Sequence, residues 1–119
     1  MTNKEIGYNG ELAAATYLKR KGYRIREKNF TVRGGEIDII AEGTDGCTVF
    51  VEVKTRKSTS YGYASEFVNK NKRDLLLKTA LRYCGEQYMR FDIVEVYYEL
   101  VYGEMLIKEI NHIEDILNV

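Results

Sequence analysis

Two short segments carry residues whose types and spacing could do chemistry together: Gly35-Glu36-Ile37-Asp38-Ile39-Ile40 and Phe50-Val51-Glu52-Val53-Lys54-Thr55-Arg56. Asp38, Glu52 and Lys54 stand inside stretches otherwise rich in Val, Ile and Phe. An ionised carboxylate in such surroundings is costly unless it is paired or binds a cation, and two carboxylates brought together repel unless a cation sits between them. Residue types alone leave two readings open. One is a structural ion pair of Lys54 with Asp38 or Glu52. The other is a divalent-metal site.

The elements that must position these groups follow from the apolar pattern. Glu36 to Glu42 and Cys47 to Thr55 read as strands, and Gly43-Thr44-Asp45-Gly46 between them is turn chemistry, so an antiparallel hairpin is predicted. Side chains alternate faces along a strand, which puts Glu52 and Lys54 with Phe50, and Cys47, Val49, Val51 and Val53 on the other side. The same count places Glu36 and Asp38 on one face with Ile40. The unbroken apolar runs in both strands predict burial on both faces of the sheet.

Ahead of the hairpin, Asn3 can cap a helix that starts at Lys4 and ends at Gly22 after the basic run Lys19-Arg20-Lys21. Gly7, Gly10, Ala14, Tyr17 and Leu18 form its inward stripe. Glu11 shares that face. It is either a third acid of the site or a residue at the stripe's edge, facing water near the positive end of the helix dipole. Tyr23 to Val32 then reads as an edge strand with an irregularity near Lys28-Asn29, where the apolar phase shifts.

After Arg56, Lys57 to Ala64 reads as a polar loop carrying Tyr61 and Tyr63 beside the charged face. A second helix, capped by Asn69 or Asn71, places Leu75, Leu76, Leu77, Ala80, Leu81 and Cys84 on a broad apolar stripe. Its first turn holds Lys70, Lys72 and Arg73. Cations there oppose the helix dipole, and a bound phosphate would relieve both. Arg90 to Tyr98 reads as a strand, Met105 to Ile110 as its partner, and Ile113, Ile116 and Leu117 have the spacing of a short terminal helix.

At 119 residues the chain is long enough to bury one core, so a single domain over 1–119 is expected. No apolar run approaches bilayer length and the N-terminus lacks a signal-peptide apolar region, so no membrane association and a cytoplasmic location are expected. Cys47 and Cys84 belong to no Cys-x-x-Cys pair, and His112 is the sole histidine. Zinc and a Ser-His-Asp triad are therefore disfavoured. Net charge is zero, which argues against a strongly basic surface, yet residues 1–60 carry eleven Lys/Arg against eight Asp/Glu.

Gly10-Glu11, Gly22-Tyr23, Asn29, the Gly-Glu-Ile-Asp-Ile-Ile and Phe-Val-Glu-Val-Lys-Thr-Arg segments, Lys72 and Arg90-Phe91-Asp92 occur in this order. Together they resemble the YraN family of predicted endonucleases, and the resemblance runs up to about Val96. That family is similar to the PD-(D/E)xK nuclease superfamily and related to archaeal Holliday junction resolvases. The resemblance implies an α/β, restriction-endonuclease-like α-β-β-β-α-β core, a mixed sheet flanked by helices, which is the order the apolar pattern predicts.

Carried over by position, the resemblance makes Asp38 the first acid, Glu52 the second, Lys54 the motif lysine and Glu11 the helix-borne acid, and it matches Lys72 to a lysine of the second helix. It implies phosphodiester hydrolysis with Mg²⁺ or Mn²⁺ held by Asp38, Glu52, the carbonyl of Val53 and, through water, Glu11. Lys54 would hold the attacking water or the charged phosphate. Arg56, Lys57, Lys70, Lys72 and Arg73 would contact nucleic acid, expected to be structured or branched DNA. A homodimer would suit two-fold substrates. Ile37 stands where the superfamily motif has proline. A second function class remains beside the nuclease: a non-catalytic nucleic-acid-binding module on the same fold, separable from it by turnover in Mn²⁺.

Overall fold

The fold is described from a computed structural model covering residues 1–60, 70–84 and 88–117, with the side chains at positions 32, 70–72 and 84 left aside. The first element, α1 (Asn3–Arg20), is capped by Thr2 rather than Asn3. The Thr2 hydroxyl accepts from the Glu5 N–H at 3.1 Å, and the Glu5 carboxylate accepts from the Thr2 N–H at 3.0 Å. Thr2 and Asn3 are both cap residues by type, and the glutamate three places after Thr2 decides between them by completing a reciprocal capping box.

The strands are β1 (Arg24–Val32), β2 (Gly35–Glu42) and β3 (Thr48–Lys57), followed by a 3₁₀ turn at Ser58–Ser60, the helix α2 (Lys70–Cys84), then β4 (Met89–Val101) and β5 (Glu104–Ile113). They form one five-stranded sheet in the order β1-β2-β3-β4-β5. All neighbours are antiparallel except β3 and β4, which run parallel. A parallel pair needs a long crossover, and α2 lies on it. This mixed sheet with α-β-β-β-α-β-β order is compatible with a restriction-endonuclease-like core.

Both faces are covered, as the unbroken apolar runs predict. On one, Ala14, Ala15 and Leu18 of α1 pack on Ile39, Val49, Val51 and Val94. On the other, Leu76 and Ala80 of α2 pack with Ile37, Ile40, Phe50 and Phe91, and Leu117 joins them. The Phe50 and Phe91 rings stack with centroids 5.3 Å apart. Burying each such side chain contributes about 1.5–3 kcal/mol.

Two expectations are corrected. The register shift between β1 and β2 falls between Ile25 and Glu27, not at Lys28-Asn29, although Asn29 has its own irregularity, a left-handed φ of 52°. The C-terminal stretch is not helical among the described residues. β5 runs on to Ile113, and Ile116-Leu117 form a turn. The cause is a set of side-chain bonds to β4. Asn111 donates to Glu95 at 2.9 Å, and His112 Nε2 meets Asp92 Oδ2 at 2.8 Å, which holds 111–113 in register with Ile93 to Glu95.

Asp92 is the hub of a buried network. It is 1 % exposed and accepts from Arg90 Nε and Nη2, both at 2.9 Å, and from the Asp115 N–H at 2.9 Å. Lys21 Nζ lies 2.8 Å from His112 Nδ1. An ammonium has no acceptor, so Nδ1 accepts from Lys21, which leaves the Nε2 N–H to donate to Asp92. The ligand atoms of Asp92, His112 and Glu114 lie within 4.8 Å of one another, but the Arg90 guanidinium bonds both acids, which makes this an ion-pair network. Burial pushes the Asp92 carboxyl up, and hydrogen bonds from His112, Arg90 and the Asp115 N–H more than reverse it, leaving it below the ordinary carboxylate value.

Gly10 sets how close α1 comes to β3. A Cβ there would stand 2.0 Å from Thr55 Oγ1 and 2.9 Å from Thr55 Cβ. Gly10→Ala should therefore destabilise by about 1–3 kcal/mol despite alanine's better helix propensity, and Thr55→Ala in the same chain should recover only part of the loss, because the Cβ at position 55 remains; urea unfolding of the single and double variants measures both. Asp92→Ala leaves Arg90 and His112 without their buried partner and should cost about 3–5 kcal/mol. Because folding depresses the Asp92 carboxyl, its contribution is present above the ordinary carboxylate value and is lost as pH falls through the depressed one, so Asp92→Ala should flatten the acid limb of the stability curve.

Candidate functional site

The site forms where β2 and β3 part. Their pairing runs from Glu42↔Thr48 to Ile39↔Val51 and stops there. The next inward N–H of β3, that of Val53, donates to Asp38 Oδ2 at 2.8 Å. The carboxylate thus takes the place of a ladder partner at the fork.

Strict alternation fails at the same point. Ile37 packs with Ile40 on the α2 face, whereas Ile39 packs on the α1 face, so the pleat of β2 changes phase between 37 and 39. The expectation that Glu36 and Asp38 share a face with Ile40 is overturned. Their carboxylates instead meet Glu11 of α1, with ligand atoms of Glu11, Glu36 and Asp38 mutually within 4.8 Å. The neighbouring strand carries the matching distortion. Asn29 stands opposite Asp38, between the pairs Lys28↔Ile39 and Phe30↔Ile37, in its left-handed conformation. Asparagine tolerates that region far better than most residues.

Asn29 also bridges the acids. With its amide in the orientation the hydrogen-bond network requires, its nitrogen donates to Glu11 Oε2 at 3.1 Å and to Glu36 Oε1 at 3.0 Å. Burial, then repulsion from Asp38 and Glu36, holds the Glu11 carboxyl above its ordinary value, and the Asn29 bond and Lys28 oppose this without reversing it. Glu11 is half-buried and turned toward Glu36 and Asp38.

β3 keeps its alternation: Val51 and Val53 pack on the α1 side and Phe50 on the other. Glu52 and Lys54 therefore project from the Phe50 side. They form an ion pair at 3.3 Å. Among the described residues Glu52 does not join the three-carboxylate group, but with Glu36, Asp38 and Asp92 it lines a pinched hollow of 10 Å³, about the room of one water. Arg56 is partly buried two places further along that row, and Lys57 and Arg73 are exposed. The side chains of Lys70 and Lys72, and the loop carrying Tyr61 and Tyr63, lie outside the described residues. The sequence left Glu36 and Asn29 out of the site. The phase shift near Asn29 was the available signal for the second.

Residues 10–96 match a family described as "Uncharacterised protein family UPF0102". The chain belongs to the UPF0102 family. A UPF0102 protein of Caldanaerobacter subterraneus subsp. tengcongensis is 44% identical over 118 residues, spanning 95% of this chain and 94% of its own. One from Clostridioides difficile is 42% identical over 118 residues, with 95% and 96% covered. One from Trichlorobacter lovleyi is 43% identical over 99 residues, with 79% and 78% covered. The stretch that matches UPF0102 contains Glu11, Asn29, Glu36, Asp38, Glu52 and Lys54, and His112 lies beyond it.

A raised Glu11 carboxyl means the folded state binds more protons than the unfolded one between the ordinary value and the raised one. The favourable contribution is present below the ordinary value and is lost as pH rises through the raised one. Glu11→Gln should therefore raise the metal-free Tm at about pH 8 by more than it does at about pH 4, as followed by thermal unfolding. Equal changes at both pH values would contradict the crowding of these acids.

Proposed function

We propose that this UPF0102 chain is a divalent-metal-dependent endonuclease of the PD-(D/E)xK type, related to the YraN endonucleases and acting on phosphodiester bonds in structured or branched DNA. The reading is carried by one convergence: Asp38 at the strand fork, bonded to the Val53 N–H, with Glu11 and Glu36 against it and the Glu52–Lys54 pair on the adjoining stretch of β3. The donor set fits such an ion. It consists of carboxylate oxygens without thiol or imidazole, the chemistry that suits Mg²⁺ or Mn²⁺, and a cation would relieve the crowding that raises the Glu11 carboxyl.

Asp38, Glu52, the Val53 carbonyl and Glu11 would hold the ion, with Glu36 beside them. When bound, it supplies positive charge against the scissile phosphate and lowers the pKa of a coordinated water. The chain's own groups supply the rest. Lys54, exchanging its Glu52 partner for a phosphate oxygen, donates to the charge that develops in the transition state. Arg56, on the same row, suits a bidentate grip on the neighbouring phosphate. Lys57 and Arg73, both exposed, and Lys70 and Lys72 of the second helix would serve as backbone contacts.

The Glu52–Lys54 pair also supports a second reading, since each charge already has the other. That reading is a nucleic-acid-binding module of the same fold without turnover. Purified protein should nick a branched DNA in Mn²⁺, and Asp38→Ala and Lys54→Ala should each slow this by roughly a hundredfold or more. The same background cleavage in all three proteins, with DNA binding that survives Asp38→Ala, would transfer support to the module.

A further inference from the structure

A second feature adjoins the acids and is distinct from them. Between the β1–β2 turn and α2 lies an open groove of 500 Å³ lined by Arg33, Leu75, Lys78, Thr79, Leu81 and Arg82. Leu75, Lys78, Thr79 and Arg82 recur at the three-and-four spacing that puts them on one side of the helix. Arg33, Lys78 and Arg82 are exposed, and none of the three forms an ion pair among the described residues. Among the described residues no acid lines the groove. The Thr79 hydroxyl is turned back onto the Leu75 carbonyl at 2.8 Å, so among the described side chains the polar contacts on offer to a ligand are the three cations.

The groove is anchored to the start of β2. A Cβ on Gly35 would stand 2.4 Å from Leu75 Cδ2, so the missing side chain lets α2 seat against the turn. Asp38 lies three residues further along β2, about 10 Å at strand rise. Each strand of a duplex carries a phosphate about every 3.4 Å of axis, so a strand with a phosphate at Asp38 brings others, roughly three nucleotides away, to the groove mouth. Acidic side chains on a protein partner carry no such regular spacing, and the carboxylates of Glu36 and Asp38 would repel them.

We propose that the Arg33–Lys78–Arg82 groove is a phosphate-backbone site that holds one arm of a DNA substrate and leads it to the acidic fork. This deepens the nuclease reading and rests on it for the choice of DNA. Three exposed cations on one groove provide about three phosphate contacts, and Leu75 and Leu81 offer an apolar floor to the sugars.

The test is fluorescence anisotropy of a labelled four-way-junction DNA in EDTA, over a range of salt, with cleavage in Mn²⁺ assayed in parallel. Replacing Arg33, Lys78 and Arg82 together by Gln should lower the slope of log affinity against log salt by roughly two to three and weaken binding tenfold or more near 0.1 M salt. Replacing Lys4, Lys19 and Arg20 by Gln removes the same charge elsewhere and should leave the slope in place. The charge-keeping set Arg33→Lys, Lys78→Arg and Arg82→Lys should bind like the parent, which separates lost contacts from lost folding.

An unchanged slope in the groove variant, an equal loss in the Lys4/Lys19/Arg20 control, a parent protein that binds no junction, or tighter competition by polyglutamate than by unlabelled DNA would each overturn the groove. Groove-dependent binding without cleavage in any metal would sink the nuclease reading and leave the groove standing. Normal cleavage and binding by the groove variant would do the reverse.

Discussion

The hydrogen bond from the Val53 N–H to Asp38 Oδ2, 2.8 Å long, is the constraint on which the rest of the site depends. Where two paired strands separate, inward backbone donors lose their partners, and leaving one unsatisfied in a half-buried place costs about 1–3 kcal/mol. Here a side-chain carboxylate meets that need. The fork is stabilised, and Asp38 is fixed with one oxygen committed to β3. The phase change in β2 then brings Glu36 and Asp38 within reach of α1, and the close approach of Gly10 to Thr55 brings Glu11 to meet them.

The arrangement works against stability locally. Three carboxylates converge, Glu11 is held in its neutral form more than an exposed glutamate would be, and Asn29 occupies a strained backbone region while its amide holds two of the acids together. Strain and like-charge crowding persist only where the surroundings over-determine them. Those surroundings are the two apolar layers and the Asp92 network, which ties α1's end, β4 and β5 into one block through Lys21, His112, Arg90 and Tyr23. A stable frame carrying an unfavourable cluster is the usual balance at functional sites.

Much of this was legible in the residues. The apolar runs at Ile37 to Ala41 and Val49 to Val53 predict a doubly covered hairpin, and the element order through β4 follows from turn chemistry and helix spacing. The site was legible in composition but not in facing. Counting alternate residues assumes an unbroken ladder, and the ladder breaks at Asp38, so Glu36 went unassigned and the reach of both acids toward Glu11 was not read. Lys28-Asn29 carried a trace of this as a phase shift. The terminal helix failed for a different reason: Ile113, Ile116 and Leu117 fit helical spacing equally well, and bonds from Asn111 and His112 to partners on β4 decided the matter. Nothing local in a polar stretch announces that its histidine is buried beside an aspartate 20 residues away.

The central claim is that the fork at Asp38 gathers acids to hold a divalent cation. Anomalous diffraction from crystals soaked in Mn²⁺ measures it directly. A single strong peak bonded to Asp38, with Glu11, Glu36 or Glu52 completing its carboxylate ligands, is the predicted result. Crystals that diffract well but show no peak at the fork, or Mn²⁺ bound only elsewhere while Asp38 keeps its bond from the Val53 N–H, would contradict it.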